Sequence, residues 1–150
     1  MVKGGIKMYK MGIDIGGTFI KYALVDESYK IMDKWKVETV KFDTKDELYD
    51  YICNNMKNTD DIEVIGVSAP GVIDEEGNVN SYAAPNIRIM YVTNIVNEIQ
   101  KRTNKKVAAM NDAKAAGLCE VEIGNAKESN SSAFLILGTE LVDVFAMEME

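Results

Sequence analysis

The stretch Met11-Gly12-Ile13-Asp14-Ile15-Gly16-Gly17-Thr18-Phe19-Ile20-Lys21 constrains what this chain can fold into. Ile13 and Ile15 alternate with Gly12 and Asp14 before the glycine pair. Phe19, Lys21 and Ala23 alternate with Ile20, Tyr22 and Leu24 after it. Two period-two runs around Gly-Gly predict a strand, a tight turn and a second strand, glycine being the residue that accepts positive φ there. With no side chains at Gly16 and Gly17, the backbone N–H groups of the turn are open to a phosphate. Thr18 adds a hydroxyl and Lys21 a cation. Asp14 is placed to hold Mg²⁺ through water, since that ion keeps several waters and takes one or two carboxylates. The plainer alternative is an ordinary hairpin with a surface Asp and Lys.

Two commoner nucleotide folds are excluded. There is no Walker A run, and no Gly-x-Gly-x-x-Gly that opens a helix; Thr18 to Tyr22 favour a strand instead. The chain has no histidine, which removes His-based triads, His metal ligands and His acid–base chemistry. A net charge of -7 makes it a poor general partner for nucleic acid. Cys53 and Cys119 have no metal-type spacing and fit a reducing, cytoplasmic setting. No apolar run approaches a membrane span, and the first residues do not read as a signal peptide. The 150 residues suffice for one domain with a core.

In chain order, residues 8–15, 18–26 and 30–38 read as an antiparallel meander, with Trp35 and Val37 on a core-facing side. A helix over 45–58 is capped by Thr44 with Glu47 in a capping box, and it buries Leu48, Ile52 and Met56. Cys53 beside them reads as packing. Residues 62–69 form a mostly apolar strand that ends at Pro70-Gly71. Residues 81–90 read as irregular. A helix over about 92–103 carries Val92, Ile95, Val96 and Ile99 and ends in a solvated Lys101-Arg102. A short strand at 107–110 leads through Asn111-Asp112 into a helix at 112–124, where Asp112 is either a functional carboxylate or an N-cap. A last strand covers 133–137. Strands followed by alternating helices and strands define an α/β fold with a mixed sheet.

Four stretches now line up: Asp14-Ile15-Gly16-Gly17-Thr18 with Lys21, Ala69-Pro70-Gly71-Val72-Ile73-Asp74, Asn111-Asp112-Ala113 with Ala115-Ala116, and Leu137-Gly138-Thr139. In this order and spacing they resemble the ROK family of sugar kinases and repressors, which includes bacterial glucokinases. The resemblance implies the actin-like, ribonuclease H-like fold, its mixed sheet opening with an antiparallel meander and flanked by helices, and ATP, Mg²⁺ and a hexose in a cleft between two lobes. It implies phosphate contacts at Gly16, Gly17, Thr18 and Lys21, and at Gly138 and Thr139 in a second loop. It places Asp14 near Mg²⁺, makes Asp112 the catalytic base, and assigns sugar contacts to Gly71, Asn86, Asn111 and Asp112. A homo-oligomer is compatible with it.

Two departures stand out. The family's second loop reads Gly-Thr-Gly-x-Gly-Gly, whereas Gly138-Thr139 is followed here by Glu140-Leu141-Val142-Asp143-Val144. The family's zinc-binding Cys/His cluster, further sugar-contacting Glu and His, and adenosine-binding part have no counterpart, so structural zinc is expected only in that absent part. The expectation is an N-terminal lobe over 1–130, then the first strand of a second lobe and an aberrant tail over 131–150. Within codon degeneracy, one added nucleotide after the Thr139 codon permits Gly-Ile-Gly-Gly, so a one-nucleotide loss is the expected origin of the tail. The last strand and the apolar tail are expected to lack packing partners and to promote self-association, and the chain is expected to be inactive alone. A sugar-responsive repressor of the same family is disfavoured, because only 13 residues precede Asp14 and the charge repels DNA. A non-catalytic sugar-binding remnant is the remaining alternative.

Overall fold

The computed structural model describes residues 8–82, 84–137 and 142–148. The meander is present as β1 (Tyr9–Ile15), β2 (Phe19–Val25) and β3 (Ile31–Glu38). Then follow α1 (Lys45–Asn54), β4 (Ile62–Ala69), α2 (Ile95–Thr103), β5 (Lys106–Asn111), α3 (Asp112–Glu122), β6 (Ser131–Leu137) and β7 (Val142–Glu148). Residues 85–90 form short 3-10 turns where the sequence reads as irregular. The main sheet has the order β3-β2-β1-β4-β5. β1 pairs antiparallel with β2 and parallel with β4, and β4 pairs parallel with β5, so the sheet is mixed as expected.

Strand alternation divides the sheet into two unlike faces. One face carries Met11, Ile13, Ile15, Ile20, Tyr22 and Leu24, with Ile65, Val67 and Ala69 from β4, all buried. Leu48, Tyr49 and Ile52 of α1 and Ile95 and Ile99 of α2 close over it in one hydrophobic cluster. Each such side chain contributes roughly 1.5–3 kcal/mol by leaving water. Buried polar tips are satisfied: the Tyr22 hydroxyl donates to the Ile52 carbonyl at 3.0 Å. Trp35 stacks on Tyr22 with centroids 5.2 Å apart and donates Nε1–H to the Asn55 carbonyl at 3.0 Å, so it packs half-buried against the margin of the core. Cys53 packs beside this cluster, and burial pushes its thiol up to about 11.

The opposite face is nearly bare. Gly12 pairs with Ala23 on one side and Gly66 on the other, and Gly66 pairs with Ala108. These four small residues form a continuous row across four strands. α3 leans on this face, where Leu118 and Cys119 share a groove of about 390 Å³ with Gly12, Gly66, Ala108 and Met110.

Several local expectations hold and others need correction. The capping box at Thr44 and Glu47 is formed. α1 ends at Asn54 and not 58, because the Asn55 side chain turns back to donate to the Tyr51 carbonyl at 2.8 Å. α2 starts at Ile95, since Asn94 accepts the Asn97 amide at 2.8 Å and ends the preceding turn. Val92 therefore lies outside the helix, at φ 58° and 81% exposed.

The Lys101-Arg102 pair is no simple solvated helix end. The Arg102 side chain is only 13% exposed, and it donates to Asp50 and Glu98 at 2.6 Å and to Asp46 at 2.7 Å. Asp46 and Asp50 lie one turn apart on α1, so one guanidinium fastens α1 to α2. Glu98 also accepts from Lys45 and Lys101. Burial pushes its carboxyl up, and hydrogen bonds from Lys101, Lys45 and Arg102 more than reverse this, leaving it at about 2.

The segment at 142–148, expected to have no place to pack, is a strand that pairs antiparallel with β6 from Ser131↔Glu148 to Leu137↔Val142. Val, Phe and alternating composition suit a strand, and β6 offers it an edge. Among the described residues no helix is long and apolar enough to cross a membrane.

Candidate functional site

Three parallel strands, β1, β4 and β5, end at one edge of the sheet, and β3, antiparallel to β2, ends there too. The segments that leave them are Gly16-Gly17, Pro70-Gly71, Asn111-Asp112 and Thr39. In an α/β sheet this is the edge where ligands bind. The topology thus gathers most of the residues singled out in the sequence. Gly138 and Thr139 lie outside the described residues.

The glycine turn needs its glycines for a reason other than the one expected. Among the described residues the glycines with positive φ are Gly71 and Gly77, and neither Gly16 nor Gly17 is among them. Close approach is the actual constraint: a Cβ on Gly17 would lie 2.6 Å from the Ala84 Cβ, and one on Gly16 would lie 2.8 Å from the Phe19 carbonyl oxygen. The turn closes with Gly16 N–H donating to the Phe19 carbonyl at 3.0 Å. Its carbonyls are tied from outside: the Thr39 hydroxyl donates to Gly16 at 2.7 Å, the Asn86 side chain to Gly17 at 3.0 Å, and the Thr39 amide to Thr18 at 2.9 Å.

Asp14 sits just below the turn, on the open face of the sheet. It is opposite Lys21 on β2 and Ser68 on β4. The Lys21 ammonium donates to its Oδ2 and the Ser68 hydroxyl to its Oδ1, each at 2.9 Å. The Asp14 side chain remains 37% exposed. It borders a groove of about 520 Å³ together with Lys21 and Ser68. Among the described residues no group of three or more His, Cys, Asp or Glu is arranged around a metal. One exposed carboxylate fits a hydrated Mg²⁺ whose remaining ligands are water and phosphate, and does not fit a protein cage. Ser68 was not anticipated, although it interrupts an apolar strand at a position facing away from the core.

At the next strand end, Asn111 and not Asp112 caps α3, its side-chain oxygen accepting the Lys114 amide at 3.1 Å. The plainer reading of Asp112 as the cap is thereby replaced. Asp112 is the first residue of α3, exposed, with Oδ1 accepting the Ala113 amide at 2.8 Å. It stands at the positive end of that helix and faces solvent. Asn111 also donates its amide to the Gly71 carbonyl at 2.9 Å.

Gly71 takes φ +97°, and a Cβ there would meet the Ser81 Oγ at 2.9 Å. The Ser81 hydroxyl accepts the Val72 amide at 2.8 Å, closing the base of the loop. Asp74 accepts from Asn78 and Asn80 and pins the turn within it, so its role here is structural. Asn86 lies on the following 3-10 turn and reaches Gly17 rather than Asn111.

The chain matches the ROK family over residues 10–141, and it belongs to that family. It is 32% identical over 136 residues to a glucokinase of Thermotoga maritima, covering 89% of this chain and 43% of that protein. It is 28% identical over 131 residues to the N-acetylgalactosamine kinase AgaK of Shewanella sp., covering 85% and 42%. A ROK family glucokinase from Streptomyces griseus, solved with glucose and AMPPNP, superposes with a TM-score of 0.70 at 28% identity, covering 87% of this chain and 42% of that one. The fold is the actin-like, ribonuclease H-like one. The chain spans less than half the length of these two curated relatives.

Proposed function

We propose that this chain supplies one half of the site of an ATP-dependent hexose kinase. The observation that supports this reading most is the convergence of the glycine turn, the Gly71 loop and Asn111-Asp112 on one sheet edge, in a chain of the ROK family. In this reading the Gly16-Gly17-Thr18 turn and Lys21 neutralise the phosphates of ATP, and Gly138-Thr139 matches the start of the family's second phosphate loop. Mg²⁺, when bound, would offset phosphate charge, with Asp14 holding it through water. Asn111, Asn86 and the Gly71 loop orient the sugar. Asp112 takes the proton of the attacking hydroxyl while the new oxygen–phosphorus bond forms and ADP leaves. One carboxylate serves this role because a sugar hydroxyl is a weak nucleophile.

The relatives act on glucose and on N-acetylgalactosamine, so a hexose is the substrate class. Glu140 stands where the family places a glycine beside phosphate. The chain by itself is therefore proposed to bind sugar without turning over ATP.

The test titrates the 150-residue protein with glucose, N-acetylglucosamine, N-acetylgalactosamine and MgATP, following backbone amides by NMR. One of the sugars is expected to shift Gly71, Asn111 and Asp112, and MgATP to shift Gly17 and Thr18. Absence of both responses overturns the reading. Hexose-dependent ADP release by this chain alone overturns the proposal that it is inactive by itself.

A further inference from the structure

We propose that Thr39 and Asn86 form a clamp that aims the amides of the glycine turn at phosphate, Thr39 being a positioning residue that no sequence motif marks. The inference rests on the reading of that turn as a phosphate site.

In a planar trans peptide the C=O of one residue and the N–H of the next point in opposite directions. Holding a carbonyl on one side fixes the following amide on the other. The Gly16 carbonyl accepts the Thr39 hydroxyl at 2.7 Å, so the Gly17 N–H points away from Thr39. The Gly17 carbonyl accepts the Asn86 side-chain amide at 3.0 Å, so the Thr18 N–H points away from Asn86. The Thr39 amide holds the Thr18 carbonyl at 2.9 Å and anchors the end of the turn. Among the described residues no hydrogen bond uses the Gly17 or Thr18 N–H. Three consecutive carbonyls are thus occupied by the protein and two consecutive amides are not. Such an arrangement takes an anion with several oxygens and repels cations.

Thr39 suits this work. It is 7% exposed, immediately follows β3, and uses both its hydroxyl and its backbone amide on the same turn. Glycine leaves the turn free to rotate, and the clamp removes that freedom before a ligand arrives. Asn86, assigned to sugar by family resemblance, hydrogen-bonds the phosphate turn and so ties the two halves of the site together.

The experiment uses inorganic tripolyphosphate, which has no sugar and no adenine, and follows the Gly17 and Thr18 amides of the full chain by NMR. The unaltered protein is expected to show saturable shifts at both. Thr39→Val keeps the shape and removes the hydroxyl, and should weaken binding about tenfold, the scale of one lost hydrogen bond that holds the turn in place. Thr39→Ser keeps the hydroxyl and should restore affinity to near the original. Asn86→Ala should also weaken tripolyphosphate binding, whereas a pure sugar contact would leave it unchanged. The Tyr22 and Ile52 resonances of the core report whether each variant is folded, and Asn86→Ala decides the matter if Thr39→Val is not.

If the unaltered protein shows no shift at Gly17 and Thr18, the phosphate reading and the clamp both fall. If it binds and the folded variants bind equally well, the clamp alone falls.

Discussion

Along β4, Ile65 and Val67 are 0% and 3% exposed, while Gly66 between them has nothing within 4 Å of where a Cβ would stand. Neighbouring residues of one strand thus face two different environments. The covered face uses large branched and aromatic side chains, and α1 and α2 close over it. The open face carries Gly12, Ala23, Gly66 and Ala108 along its middle, and three of its polar residues, Asp14, Lys21 and Ser68, meet near the edge where the candidate site lies. The difference separates two tasks. Cohesion comes from the side chains of one face, and chemistry is carried by the few side chains of the other and by backbone at the strand ends. Substitutions on the first face should be read in stability, and those on the second in binding.

Ile65→Ala is the most severe test of that division. It removes buried methylenes from the centre of the cluster and should cost about 2–5 kcal/mol in chemical unfolding, with the spread set by how far the core collapses. A loss below 1 kcal/mol would mean the covered face is not the main source of cohesion.

Gly17→Ala comes next, at the border between the two regions. The added methyl meets Ala84 at 2.6 Å, so the turn or its neighbour must shift. A cost of about 1–3 kcal/mol is expected, together with weaker tripolyphosphate binding. If affinity falls with no change in stability, the turn moves independently of the scaffold.

Acid should loosen the covering layer before it touches the sheet. The Glu98 carboxyl lies at about 2 in the folded protein against an ordinary 4.5. The unfolded chain therefore binds this proton more tightly than the folded one. The stabilisation is fully present above pH 4.5 and is lost as pH falls towards 2, amounting to roughly 1–3 kcal/mol. Unfolding measured across that window should steepen, and Glu98→Gln should flatten the dependence.

Gly66→Ala is the smallest effect and the sharpest check. With open space around it and an ordinary strand conformation, alanine should raise stability by about 0.5–1 kcal/mol. A marked loss instead would show that something covers the bare row in solution.

Much of this was legible in the sequence where a local rule fixes a local structure. The Gly-Gly turn between alternating runs, the Thr44 and Glu47 capping box, and the strand ends at Gly71 and Asn111 all carry their own signals. What remained hidden depends on contacts between distant segments. Arg102 reads as a helix-end cation until α1 brings Asp46 and Asp50 to it, although their four-residue spacing was a clue. Gly16 and Gly17 read as conformational glycines, and only Ala84 and the Phe19 carbonyl show that the constraint is space. Thr39 carries no signal at all, because its partners lie more than twenty residues earlier. The pairing of 142–148 with β6 carries no family signal, because the sequence there departs from the family pattern while keeping strand-forming residues.

The loops at the site edge lean on one another through side chains: Thr39 on Gly16, Asn86 on Gly17, Asn111 on Gly71. A loop held by a neighbouring loop cannot open without releasing it. The Gly16–Thr18 turn should therefore open together with the segments around Thr39 and Asn86, and the Gly71 loop together with the start of α3. In hydrogen exchange such coupled segments share one opening free energy well below that of global unfolding. Deuterium uptake should thus divide this edge into two cooperative units, set over a sheet whose central amides exchange only when the whole domain unfolds.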